Sequence, residues 1–363
     1  KASEAVEANS ERQKRPQKKA SERQLQIKKL EDSLATSGRC SRRGSQSMDL
    51  PESPKTTEST TMDLPATPGC MGHAAKTTGD LPGCPQGRRS SGRALQTLPA
   101  QSAQTVEDRY DIFKVCGKSG SGVVRSAEHR LSGKQVVVKS CRKIQMGKKA
   151  WEILVAGSLV HKSLNHPRIV RMDDLYTTPI VVHMALERLE GGDLQQELDK
   201  RRRFSEEQAS YIMRQLLEAL DYLHEEGVVH RDVKLANIML EKQGELDVKL
   251  IDFGVATKWD GLEKMSLQCG SITYAAPELL NGAYTEKADV WAAGVVAHAL
   301  LTGELVYSGS MSEIRAKAKE GRPVLSEKLK DCSAGAQEFV KALLAHDPVQ
   351  RVSAEEALDH PWL

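Results

Sequence analysis

No Phe, Trp or Tyr occurs before Tyr110 in this chain of 363 residues. Ser, Thr, Pro, Gly, Lys and Arg dominate that stretch, and such a composition cannot bury enough apolar surface to offset the entropy of ordering it. Residues 1–108 are therefore expected to form a disordered basic tail. Paired cysteines are lacking as well: Cys40, Cys70, Cys84, Cys116, Cys141, Cys269 and Cys332 are odd in number and never make a C-x-x-C pair. That argues against a disulfide framework or a zinc site and for a reducing, intracellular and cytoplasmic setting. Long hydrophobic runs are missing too. The longest, Val290 to Leu301, is interrupted by His298 and is shorter than a bilayer requires, so no membrane span is expected. A net charge of +3 is too small to argue for nucleic acid as a partner. No EF-hand pattern D-x-[DN]-x-[DN]-G occurs, so calcium control is not implied. The chain opens on Lys1, and the natural start is expected to lie upstream.

What the tail does contain is repetition. Met48–Pro54 reads MDLPESP, Met62–Pro68 reads MDLPATP and Gly79–Pro85 reads GDLPGCP. Proline fixes φ and excludes helix, so these copies of D-L-P-x-x-P are expected to be extended peptides that dock partners, or a duplication without function. Ser53-Pro54 and Thr67-Pro68 have the form of proline-directed phosphorylation sites, and Ser45 follows Arg42-Arg43-Gly44 as a basic-directed one. Leu25, Ile27, Leu30 and Leu34 have the spacing of a short amphipathic helix, or of a transient helix in a solvated tail.

From Tyr110 onward apolar residues are regularly spaced, and the remaining ~250 residues suit one domain. Gly117-Lys118-Ser119-Gly120-Ser121-Gly122-Val123-Val124 lies between two β-like stretches. Glycines let a backbone approach phosphates without Cβ collision, and its amides then donate to phosphate oxygens. Next comes Val136-Val137-Val138-Lys139, an apolar strand ending in a lysine. Ser205-Glu206-Glu207-Gln208 is a capping box, followed by Ala209, Ile212, Leu216, Leu220 and Leu223 at helical spacing until Gly227. That helix delivers Val228 to Leu240, VVHRDVKLANIML, a polar loop held between two buried segments. Within the loop Asp232, Lys234 and Asn237 stand at short, fixed offsets. Val248-Lys249-Leu250-Ile251 is a buried strand that presents Asp252-Phe253-Gly254, and Ala276-Pro277-Glu278 follows.

This order of motifs resembles that of the eukaryotic protein kinases: a glycine-rich loop, a strand lysine, H-R-D-x-K-x-x-N, D-F-G and A-P-E. The ending Ala357-Leu358-Asp359-His360-Pro361-Trp362 is similar to the calcium/calmodulin-dependent and calcium-dependent group. The resemblance implies an α+β, bilobal kinase fold over 109–363, with a small β-rich N-lobe (about 109–188) holding one main helix and a larger helical C-lobe (about 189–363). It implies ATP and Mg²⁺ as cofactors and Ser/Thr hydroxyls of protein substrates as acceptors, since a lysine at Lys234 marks serine/threonine kinases. Asp232 would orient the acceptor hydroxyl and take its proton, Lys234 would contact the γ-phosphate, and Asn237 with Asp252 would hold the metal. Gly117, Gly120, Gly122, Val124, Val137, Lys139, Leu186, Glu187, Leu189, Asp193 and Met239 would surround the nucleotide. Ser271 would hydrogen-bond Asp232 and Lys234, Asp289 would anchor the backbone before Asp232, and Arg351 would pair with Glu278. Asp193 implies a moderate preference for basic substrates, tempered by Ala236, where many such kinases carry a second glutamate.

Two positions depart from the pattern. Ser119 stands at the second glycine of G-x-G-x-x-G. Counting back from His166-Pro167, the helix glutamate that pairs with the strand lysine falls at Gly157. Glu152 is the nearest acid, but five residues turn it about 140° around the helix. Either the helix is shifted in register, or Lys139 lacks its usual partner, or the chain is a pseudokinase scaffold. Leu267 stands where a loop phosphorylation site would lie, with Ser266 adjacent to it, so activation by phosphorylation is not indicated.

Overall fold

Alternation along β-strands decides which residues of the first part of the domain meet. The computed structural model describes residues 105–120, 122–321 and 323–363. The D-L-P repeats, the spaced leucines and the phosphorylation motifs of the tail lie outside the described residues. A single turn, α1 (Val106–Arg109), falls within the last part of the stretch assigned to the tail, where the Asp108 carboxylate accepts from the Thr105 amide at 2.6 Å. Val106 is buried there against the sheet.

Five antiparallel strands follow: β1 (Tyr110–Ser119), β2 (Gly122–His129), β3 (Gln135–Arg142), β4 (Met172–Thr177) and β5 (Val181–Glu187), in spatial order β1-β2-β3-β5-β4. Val136 and Val138 of β3 pack with Tyr110, Ala127, Tyr176 and Ala185 on one face. Lys139 and Cys141 take the other, and Cys141 packs on Trp151 and Leu154 of α2 (Lys148–Lys162). Trp151, Leu154, Ser158 and His161 recur at three- and four-residue spacing, the stripe by which a helix seats on a sheet. Lys139 therefore emerges on the helix side of the sheet.

The rest is mostly helical. α3 (Leu194–Arg201) is capped by Asp193, and α4 (Glu206–Glu225) by the expected Ser205–Gln208 box, with Gly227 at φ 61 turning the chain after it. Four short strands bracket the polar loops: β6 (Val228–Val229) pairs with β9 (Thr257–Lys258), and β7 (Ile238–Leu240) with β8 (Val248–Leu250). α5 (Pro277–Leu280), α6 (Lys287–Thr302), α7 (Met311–Glu320), α8 (Ala334–Leu343) and α9 (Ala354–Leu358) complete the chain. α6 is buried nearly all round, as its continuous apolar sequence requires. Leu216, Leu220, Trp291, Val295 and Phe339 belong to one core that lies beneath the loops. The β-rich part with its one main helix and the larger helical part match the expected bilobal arrangement. No helix of the described residues is long and apolar enough to cross a membrane.

Candidate active site

The loop after β6 is held by a buried carboxylate. Asp289, on α6, accepts the amides of His230 and Arg231 at 2.8 Å each, and His224 Nε2 lies 3.2 Å from the same group. Burial by itself would raise Asp289; the bonds and positive charge of His224 outweigh it and hold the carboxyl below the usual range. Arg231 has φ 68, a region that non-glycine residues rarely adopt, so the anchor compensates a strained backbone. The consequence is a fixed exit direction for Asp232.

Every oxygen of Asp232 is then engaged. Oδ1 accepts the Ser271 amide and hydroxyl, both at 2.9 Å, and Oδ2 accepts Lys234 Nζ at 2.7 Å and Asn237 Nδ2 at 2.9 Å. Lys234 Nζ also donates to Ser271 Oγ at 2.8 Å. Asn237 Nδ2 returns to the Asp232 carbonyl at 2.8 Å, which closes the turn. The three residues singled out in the loop thus share one polar cluster with Ser271, a partner 39 residues further along the chain.

A second cluster lies alongside. The Asn237 carbonyl accepts the Ile251 amide at 2.9 Å, so the loop and the Asp252 turn are stitched together. Asp252 has φ 60, and its Oδ1 accepts Lys139 Nζ at 2.7 Å. Burial opposes ionisation of Asp252, but Lys139 beside it prevails and lowers the carboxyl from its ordinary value. The Asn237 amide oxygen and Asp252 Oδ2 accept no hydrogen bond among the described residues. Oxygen donors of this kind suit Mg²⁺, which takes one or two protein oxygens and completes its shell with phosphates and water. Behind them stands a column of rings: His161 of α2 stacks on Phe253 at 4.4 Å, and Phe253 meets His230 edge-on at 4.8 Å. His161 is the residue that motif reading missed; its signal is the spacing of three and four residues that places it on the buried stripe with Leu154 and Ser158.

Val124 is paired with Lys139, Val137 with Leu186, and Asp193 bridges to Met239. Gly117 and Ser119 stand opposite Val124 and Gly122 in the β1–β2 hairpin. A Cβ on Gly120 would meet nothing within 4 Å, whereas one on Gly122 would stand 2.4 Å from the Ser140 carbonyl oxygen. Gly122 is thus demanded by the sheet, and Gly120 leaves open backbone at the turn. Glu187 donates its amide to the Arg171 carbonyl at 2.9 Å and accepts Lys249 Nζ at 2.7 Å. Leu189 is half-buried in the connection beyond β5. Asp193 caps α3, taking the Gln196 amide at 2.9 Å and its Nε2 at 2.6 Å.

Glu152 is exposed on α2, so no shift of register brings it to Lys139, whose ion pair is with Asp252. The anion expected from the helix comes from the turn. Arg231 is likewise occupied: Nε donates to the Val255 carbonyl at 2.7 Å and Nη1 to Tyr284 Oη at 3.4 Å, while Tyr284 donates to the Leu267 carbonyl at 2.8 Å. A neutral hydroxyl thus ties this segment at Leu267, the position of a loop phosphorylation site in the resemblance.

A family model for the protein kinase domain matches residues 110–363. The chain is 30% identical to serine/threonine-protein kinase 33 of Bos taurus over 294 residues, which cover 77% of this chain and 58% of that one. It is 31% identical to calcium-dependent protein kinase 4 of Plasmodium falciparum over 261 residues, covering 70% and 49% respectively. Sperm motility kinase 3A of Mus musculus is also 31% identical, over 77% of this chain and 54% of its own. The chain spans about half the length of the curated relatives it matches.

Proposed function

We propose that this chain, which belongs to the protein kinase domain family, transfers the γ-phosphoryl group of ATP to Ser or Thr hydroxyls of protein substrates. The observation that carries the proposal is the Asp232 carboxylate, fixed by Lys234, Asn237 and Ser271 beside the Lys139–Asp252 pair. Phosphoryl transfer asks little covalent chemistry of a protein; it asks for in-line positioning and for charge to be met as it develops. Asp232 is held where an acceptor hydroxyl can replace one of its present donors, orient on the carboxylate and pass its proton there. Lys234 and Lys139 would supply positive charge to the phosphates, each from its own cluster. Asn237 and Asp252 would hold Mg²⁺, whose charge offsets that of the ATP phosphates. The open backbone at Gly120 fits close approach by phosphate oxygens.

Specificity is drawn more narrowly. An arginine N-terminal to the acceptor would share Asp193 with Gln196, and Ala236 adds no charge, so the preference for basic substrates is modest. A peptide array without enrichment of Arg removes that preference from the proposal. The D-L-P-x-x-P copies are assigned to docking of protein partners. A scaffold without catalysis is favoured by one observation, Gly157 in place of the helix carboxylate. The two are separated by transfer of labelled phosphate from Mg-ATP with Asp232→Asn in parallel. Signal well above the variant is expected, and equal background from both proteins sinks the kinase reading.

A further inference from the structure

Helix α2 meets the Asp252-Phe253-Gly254 turn backbone to backbone. A Cβ on Gly157 would stand 2.3 Å from the Phe253 carbonyl oxygen and 3.1 Å from the carbonyl carbon and oxygen of Gly254. From the turn's side, a Cβ on Gly254 would lie 3.2 Å from Leu154 Cδ1 of the helix and 3.3 Å from Asp252 Oδ1 within the turn itself. No flexible side-chain end intervenes at Gly157, so an added methyl must move either the helix or the turn. Asp252 leads into that turn in a left-handed conformation, with Oδ1 on Lys139. Lys139 is only 6% exposed, and a buried ammonium without an anion is strongly destabilising.

We infer that Gly157 is a positioning residue. By admitting the turn to the space that a side chain at this position would fill, it seats Asp252 as the counter-ion of Lys139. One carboxylate thereby serves the lysine and, on the kinase reading on which this role rests, the metal as well. Supplying the missing helix carboxylate by Gly157→Glu is therefore harmful, because its Cβ displaces the turn before its carboxylate reaches Lys139.

Acylation of Lys139 by a small activated ester, followed by mass spectrometry of the full chain, reads the ion pair without any nucleotide. Gly157→Ala is expected to raise the labelling rate about tenfold, as the amine is released from the carboxylate that holds it in place, and to add nothing in an Asp252→Asn background. An unchanged rate, or an equal rise in both backgrounds, overturns the role given to Gly157. In parallel, kcat for peptide phosphorylation should fall by up to about a hundredfold in Gly157→Ala and Gly157→Glu, the scale expected of an ångström misplacement. A Gly157→Glu protein as active as the parent or more so also overturns it. Should Gly157→Glu not fold, the alanine cycle decides. Should the parent transfer no more phosphate than Asp232→Asn, the kinase reading falls while the labelling cycle still decides the role of Gly157.

Discussion

Arg351 and Glu278 show how much a single side-chain pair carries. Their ion pair is 2.5 Å long, the Arg351 side chain is wholly buried, and its guanidinium lies 4.9 Å from the Trp291 ring centre. Removing one partner strands a charge in the core, so Glu278→Gln is expected to lose about 3–5 kcal/mol. Urea unfolding with an unchanged m-value is the measurement, and a loss below about 1 kcal/mol would contradict the burial argument. His161 makes a second prediction, in pH. Burial pushes its ring down to about 4, against the hydrogen bond that its Nε2–H donates to the Val170 carbonyl. Above about pH 6.5 the ring is neutral whether folded or not. Between there and about 4 the unfolded chain takes up a proton that the folded chain refuses, so stability falls as pH drops. The linked loss is on the order of 3 kcal/mol, and His161→Phe should flatten that part of the stability profile.

Elements set the next scale. α6 and α8 cross closely at Gly294, where a Cβ would stand 2.9 Å from Leu343 Cβ and from two atoms of Leu344. Alanine favours a helix by up to about 1 kcal/mol, yet overpacking here costs about 1–3 kcal/mol, so Gly294→Ala should destabilise on balance. A midpoint of unfolding higher than that of the parent would reverse the conclusion. The segment between Asp252 and Glu278 has different supports. Met265 and Tyr284 exchange backbone hydrogen bonds at 2.8 and 3.0 Å, and the Tyr284 hydroxyl joins Leu267 to Arg231. Tyr284→Phe leaves a carbonyl and a buried guanidinium without that partner. Hydrogen exchange at 265–271 is expected to quicken, with global stability lowered by about 1–3 kcal/mol. Protection unchanged from the parent would show that other contacts hold the segment.

For the whole molecule, ligand binding is the test of whether sheet and helical part act as one site. A nucleotide at a hundred times its Kd should add about 2.7 kcal/mol of stability, seen as a rise in melting temperature with Mg-ATP. Asp252→Asn, which removes the anion of Lys139 and, on the proposed function, a metal oxygen with it, should abolish most of that rise. The same scale shows what could be read from the chain alone. Local signals were legible: the capping box at Ser205, the glycine after α4, and the offsets of Asp232, Lys234 and Asn237 all depend on neighbours a few residues apart. The meetings of Asp232 and Lys234 with Ser271, of the loop amides with Asp289 and of Arg351 with Glu278 are legible only through resemblance, since nothing local to those residues announces a contact across dozens of positions. Gly157 marks the boundary between the two kinds of knowledge. The sequence showed that no carboxylate stands at this position of α2; only the tertiary structure showed the Phe253 carbonyl in its place and Asp252 on Lys139. The reason is physical: residue types and spacing dictate helices, strands and turns, whereas the distance between two backbones is decided by packing across the core.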